Sequence, residues 1–230
     1  METQTKKSDL LNIRFKTKAD GLRYNLTDMA TAYLAFLLEN KEIHQKVWKE
    51  ENFSVIQYAN VEVLKTFVSI AVDVYNALAR MPRHTGLTFL NVGMGAGFLE
   101  RIVKLHEKID LKSVEWEEQD DLFKPLRHHL EVETDYICNS IFDDFEIYQC
   151  DEKFSYVLLI RFFPLNKRFS NLEEVKELLT KFKKYSDKAI IIDYYGNYTD
   201  KVIDFFNSIQ SERLPLKKEF DHFILDLDKV

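Results

Sequence analysis

The chain has 230 residues, of which 46% are apolar and 30% charged, and its net charge at pH 7 is −6. That length fits one ordinary domain plus a sizeable appendage, and the apolar content is enough to bury a core, well away from the profile of disorder. An acidic chain with scattered basic residues argues against a nucleic-acid partner, which calls for a basic excess to neutralise phosphates.

From the start, Met1 to Asp9 is polar, with Lys6 and Lys7 and no apolar h-region. No later stretch has the roughly 18 uninterrupted apolar residues of a membrane span, so neither export nor membrane insertion is expected. Only Cys138 and Cys150 are present, neither in a CxxC pair nor beside a histidine cluster. A disulfide framework and a metal site are therefore not expected, and the reducing cytoplasm is the expected compartment.

Residues 26 to 81 read as helical. Thr27 or Asp28 can cap a helix carrying Met29, Tyr33, Leu34 and Leu37 on one face. A second helical pattern runs through Val61, Leu64, Phe67, Val68, Ile70, Ala71, Val74 and Leu78 and stops before Pro82, which cannot continue a helix interior. We expect residues 1–82 to form a helical cap on the substrate side, which is also the candidate surface for a homodimer. Residues 83–230 are expected to form the second domain.

Past Gly86 the period changes. Thr88 to Val92 is a short apolar strand, followed by a glycine-rich turn and an amphipathic helix with Phe98, Leu99, Ile102, Val103 and Leu105. Strands and helices then alternate: Ser113 to Trp116 and Leu122 to Leu130; Tyr136 to Cys138; Tyr156 to Ile160 and Leu172 to Phe182; Ala189 to Asp193 and Val202 to Ile209. Ser170 with Glu173 reads as a capping box. The basic run Lys181, Lys183, Lys184 and Lys188 reads as a solvated helix end that suits the dipole. Leu216 to Phe220 and Phe223 to Leu227 look like two strands joined by a tight Asp221-His222 turn. This alternation predicts an α/β fold, a doubly wound, mostly parallel sheet of about seven strands.

The chain has six glycines, and three fall in Gly93-Met94-Gly95-Ala96-Gly97. A strand-to-helix turn needs residues without Cβ where the backbone reverses sharply or a ligand lies against it. In an α/β sheet such a turn sits at the carboxyl ends of the strands, where ligands bind. The dinucleotide fingerprint would need a third glycine where Phe98 stands, and a triphosphate loop would need a lysine after the glycines. A turn that serves strand-helix packing alone is the competing explanation.

Phe89-Leu90-Asn91-Val92-Gly93-Met94-Gly95-Ala96-Gly97 resembles the first motif of class I S-adenosylmethionine-dependent methyltransferases, which have a Rossmann-like fold. Val114-Glu115-Trp116-Glu117 resembles the second-strand segment whose acid holds the ribose hydroxyls. Glu117 stands 20 residues past Gly97, with Glu115 and Glu118 as competitors. Asn139-Ser140-Ile141-Phe142-Asp143 resembles the third-strand end flanking the adenine, Phe154 to Arg161 the fourth strand and Lys188 to Asp193 the fifth. The resemblance covers residues 86 to 195 with every element in family order. It implies S-adenosylmethionine as the cofactor and Asn91, Gly93, Gly95, Gly97, Glu117, Ser140, Ile141 and Ile160 as the residues around it. Two positions depart from the family pattern. Asn91 stands where an acid commonly faces the methionine amino group, and Ser140 or Asn139 replaces the adenine-side acid, leaving neutral contacts that are weaker than charged ones.

Methyl transfer is an in-line displacement whose leaving group needs no protonation, so alignment and desolvation can supply much of the catalysis. A base is needed only if the acceptor loses a proton. Arg161, Tyr194 and His222 are the candidate catalytic residues, with Tyr195 and Tyr198 as further possible substrate walls. For His222, in the expected turn, a solvated residue is the favoured reading, and His128 and His129 read as solvated helix residues. The resemblance and the acidic composition together point to methylation of an oxygen or nitrogen of a small molecule. The rivals are a non-catalytic binding or scaffold protein, and a different reaction on the same cofactor such as cyclisation at its aminobutyrate chain.

Overall fold

The computed structural model describes residues 61–81, 86–106, 109–116, 123–124, 127–128, 130–138, 150–160, 162, 171–194, 198–212 and 220–230. The helix expected over Met29 to Leu37 lies outside them. The predicted second helix is present as α1, Val61–Arg80, whose Val68, Ile70, Ala71, Val74, Tyr75 and Leu78 are buried. Met81 N–H donates to the Leu78 carbonyl at 3.2 Å just past its end.

Seven strands follow: β1 Thr88–Val92, β2 Asp110–Trp116, β3 Tyr136–Cys138, β4 Tyr156–Ile160, β5 Lys188–Tyr194, β6 Gln210–Glu212 and β7 Phe220–Asp226. Helix α2 is Phe98–His106, α3 is Leu172–Phe182 and α4 is Asp200–Ile209. The strands form one sheet in the order β3-β2-β1-β4-β5-β7-β6. The first five are parallel, and β7 runs antiparallel to both β5 and β6. The chain thus winds outward from β1 in both directions, the expected doubly wound arrangement, with an antiparallel pair closing one side.

The described residues group into two compact units. One holds the sheet strands with α3 and α4, in 77–94, 106–117 and 134–230; the other draws on 61–76, 95–105 and 118–133. In the sheet unit the core lies on the face that carries Leu90, Val92, Val114, Val157, Leu159 and Ile191, covered by Val175, Leu178, Leu179 and Phe182 of α3 and Val202, Phe206 and Ile209 of α4. Both helices carry apolar residues at i, i+3, i+4 and i+7 spacings, which gives each a single stripe to bury. Burying one such side chain contributes about 1.5–3 kcal/mol.

Two local expectations are corrected. The N-cap of α3 is Asn171, whose Oδ1 accepts from Glu174 N–H at 2.9 Å, so the cap is not a box between Ser170 and Glu173. Asn is at least as good a cap as Ser, and its side chain reaches the N3 amide one residue further on. There is also no turn at Asp221-His222. Both residues lie within β7, which pairs with β5 without a break from Lys188↔Asp226 to Tyr194↔Phe220. The turn propensity of an Asp-His pair is weak beside a full ladder to a buried strand.

Candidate functional site

Strand β1 delivers the glycine turn to the carboxyl edge of the sheet, where the order reverses between β2-β1 and β1-β4. All three glycines have left-handed φ: +77° at Gly93, +55° at Gly95 and +77° at Gly97. Gly93 N–H and Met94 N–H both donate to the Val114 carbonyl, at 2.9 and 3.3 Å, tying the start of the turn to β2. A Cβ at Gly93 would meet Trp116 at 3.4 Å and Phe162 at 3.5 Å. Those two rings stand edge to face, 6.0 Å apart. Further along, a Cβ at Gly97 would lie 3.2 Å from both Arg127 Cγ and Val132 Cγ1. Gly97 then supplies the carbonyl that accepts from Arg101 N–H at 3.0 Å as α2 begins.

Register sorts the expected residues by face. Asn91 pairs with Ser113 of β2 and Leu158 of β4, Leu158 with Ile190 of β5, and Ile190 with Ile224 of β7. Two residues nearer the carboxyl edge, Ile160 pairs with Ile192 and Ile192 with His222. Because strand side chains alternate, Asn91, Ile160 and His222 share one face, together with Ser113 and Glu115. Asn91, Ser113 and Glu115 are buried, and Ile160 and His222 are half-buried. This polar row lies opposite the apolar face that α3 and α4 cover. Tyr194 is the last residue of β5, opposite Phe220. Glu117, Ser140, Ile141, Arg161 and Tyr195 lie outside the described residues. Glu115 Oε1 accepts from Trp116 N–H at 3.2 Å.

Sequence reasoning missed two residues. Arg127, only 2% exposed, donates from Nη1 to the Gly95 carbonyl at 2.7 Å. It stands on the helix expected over Leu122 to Leu130, where the resemblance assigns it no role. Asp193, fully buried at the end of β5, accepts from the Tyr198 hydroxyl at 3.2 Å, while the Tyr198 ring packs edge-on to Phe206. Tyr198 thus packs and holds Asp193; an acid following four apolar strand residues was the available signal.

A second polar cluster sits at the amino ends of the strands. The Tyr136 hydroxyl donates to Glu152 Oε2 at 3.1 Å beside Cys150. Burial pushes both the Tyr136 phenol and the Cys150 thiol above their ordinary values. Among the described residues no group of three His, Cys, Asp or Glu could hold a metal ion, and no helix is long and apolar enough to cross a membrane.

No protein-family model matches the sequence, and no curated protein matches it. Solved structures do match. The riboflavin-analogue dimethyltransferase RosA from Streptomyces davawensis aligns over 95% of this chain and 76% of its own, with a TM-score of 0.54 and 12% identity. The pyocyanin biosynthetic protein PhzM aligns over 86% and 72%, with a TM-score of 0.53 and 13% identity. An O-methyltransferase candidate from Nostoc punctiforme aligns over 90% and 73%, with a TM-score of 0.51 and 14% identity. The chain has the Rossmann-like fold of class I methyltransferases.

Proposed function

We propose that the chain is an S-adenosylmethionine-dependent methyltransferase acting on an oxygen or nitrogen of a small molecule. The observation that carries this reading is the glycine turn: three left-handed glycines in five residues at the carboxyl end of β1, where the strand order reverses. An α/β sheet offers its ligand crevice at that point. The turn runs straight into α2, and the first amides of a helix favour an anion such as the carboxylate of such a cofactor. The cofactor, when bound, supplies the methyl group on a sulfonium.

The chain's own residues then have separable tasks. Asn91, buried next to the end of β1, offers a neutral amide to the amino group. Glu117, past β2, would accept hydrogen bonds from the ribose diol, with Ser140 and Ile141 beside the adenine. Ile160, half-buried at the end of β4, contributes an apolar wall. For an acceptor that carries a proton, His222 is the proposed base: it stands on the same sheet face as Asn91 and near the carboxyl edge. Arg161 and Tyr194, at the ends of β4 and β5, are proposed to orient the acceptor. Residues 1–82 are proposed as a cap on the acceptor's side and as the homodimer surface, and the cytoplasm as the compartment.

The test is thermal. A ligand bound only by the folded state stabilises it, by about 2.7 kcal/mol at a hundredfold excess over Kd. S-adenosylhomocysteine should therefore raise the melting temperature by several degrees, and NADH should not. No shift at millimolar S-adenosylhomocysteine would remove the basis of the proposal. One observation favours the second reading, a non-catalytic scaffold: at Gly97 a Cβ would press on Arg127 Cγ and Val132 Cγ1 at 3.2 Å, so packing alone accounts for that glycine. A chain that binds neither S-adenosylmethionine nor S-adenosylhomocysteine by calorimetry would fit that reading.

A further inference from the structure

We propose that Arg127 is a positioning residue for the glycine turn, fixing the plane of the Gly95–Ala96 peptide in the orientation that cofactor binding uses. The inference rests on the reading that this turn holds S-adenosylmethionine. A guanidinium that is 2% exposed must meet acceptors, because an uncompensated buried charge is costly. One acceptor is the Gly95 carbonyl, 2.7 Å from Nη1, a length that marks a charge-assisted bond. No cis peptide occurs among the described residues. In a trans peptide the carbonyl and the following N–H point in opposite directions. Holding the Gly95 carbonyl toward Arg127 therefore aims the Ala96 N–H the other way. Turning this peptide changes ψ of Gly95 and φ of Ala96, and Gly95, left-handed at φ +55°, yields its share of that rotation at little cost, so the guanidinium's grip restrains it.

The grip is itself anchored. Val132 N–H donates to the Arg127 carbonyl at 2.9 Å, and Glu131 N–H donates to the His128 carbonyl at 3.0 Å. These two bonds form a Schellman closure, whose left-handed residue is usually glycine. Here it is Glu131, at φ +54°. Two cations of α2 hold it: Arg101 Nη1 lies 2.9 Å from its carboxylate and Lys104 Nζ donates to its carbonyl at 2.6 Å. Gly97 leaves room for the Arg127 stem, which would lie 3.2 Å from any Cβ there. The contacts close a ring: α2 holds Glu131, Glu131 terminates the helical turn that carries Arg127, and Arg127 holds Gly95, three residues before the start of α2.

Calorimetry with S-adenosylhomocysteine on the full chain, the Arg127→Lys variant and the Arg127→Gln variant tests this, with near-UV circular dichroism and melting temperature recorded alongside. Loss of a hydrogen bond to a charged group predicts a Kd weakened about 10- to 100-fold in Arg127→Gln. Lysine keeps the charge on a shorter, single-headed arm, so Arg127→Lys should fall between the two. A purely structural arginine would lower the melting temperature while leaving the Kd of the folded variants at the parent's value, and that result overturns the proposal. If Arg127→Gln does not fold, Arg127→Lys decides alone: a weakened Kd supports the proposal and a parental one overturns it. If the parent itself fails to bind, the cofactor reading is lost and this inference with it.

Discussion

At Gly93 and Gly97 the same backbone angle, φ +77°, meets different surroundings. An L residue at either position incurs the left-handed penalty of about 1–2 kcal/mol. At Gly93 the new methyl would touch Trp116 and Phe162 at ordinary contact distance, whereas at Gly97 it would press on Arg127 Cγ and Val132 Cγ1 at 3.2 Å. Gly93→Ala should therefore destabilise by about the strain alone, and Gly97→Ala by more. Urea unfolding of the two variants side by side measures the difference. Equal losses would mean that the Arg127 stem yields freely, and the ring of contacts around it would be looser than described. The glycines were legible in the sequence because three of six fall in five residues. Arg127 was not, because burial of one charged side chain in a polar stretch is decided by tertiary contacts that periodicity does not encode.

Helix α3 shows how an element's end is set. Its first turn carries Glu173 and Glu174, its last Lys181, and the Asn171 side chain closes the Glu174 amide. Acids at the start and a base at the end suit the helix dipole, and the cap replaces a lost backbone partner. Asn171→Ala should cost about 1 kcal/mol, read as a lower melting temperature, while Asn171→Ser should recover most of it. The alternation of strands and helices from β1 to α4 could be read directly, since each buried strand is an apolar run bounded by turn residues. The β6–β7 pair could not. A three-residue edge strand such as β6 has no period to detect, and Asp221 and His222 interrupt the apolar run of β7 just where β5 needs a partner. The cofactor-side positions Glu117, Ser140 and Ile141 rest on the resemblance, because a strand-end acid or serine has no signature of its own.

On the scale of the whole molecule, the order of strands in space differs from their order in the chain. β7 is the last of the seven to be synthesised, yet it occupies an inner position, hydrogen-bonded to β5 on one side and β6 on the other. Until it emerges, β5 presents a complete row of unsatisfied backbone groups along an apolar strand of Ala189, Ile190, Ile191 and Ile192, all buried in the finished sheet. Such an edge templates pairing with other chains. Vectorial synthesis therefore leaves a nascent form with an open flank, and the ribosome-bound chain needs either speed or a chaperone to pass it. A chain stalled after Glu212 should be cut readily by protease around β5, whereas one extended past Asp226 and clear of the ribosome should resist. Equal resistance in both would mean that the parallel strands β1 to β5 mature without their antiparallel neighbour.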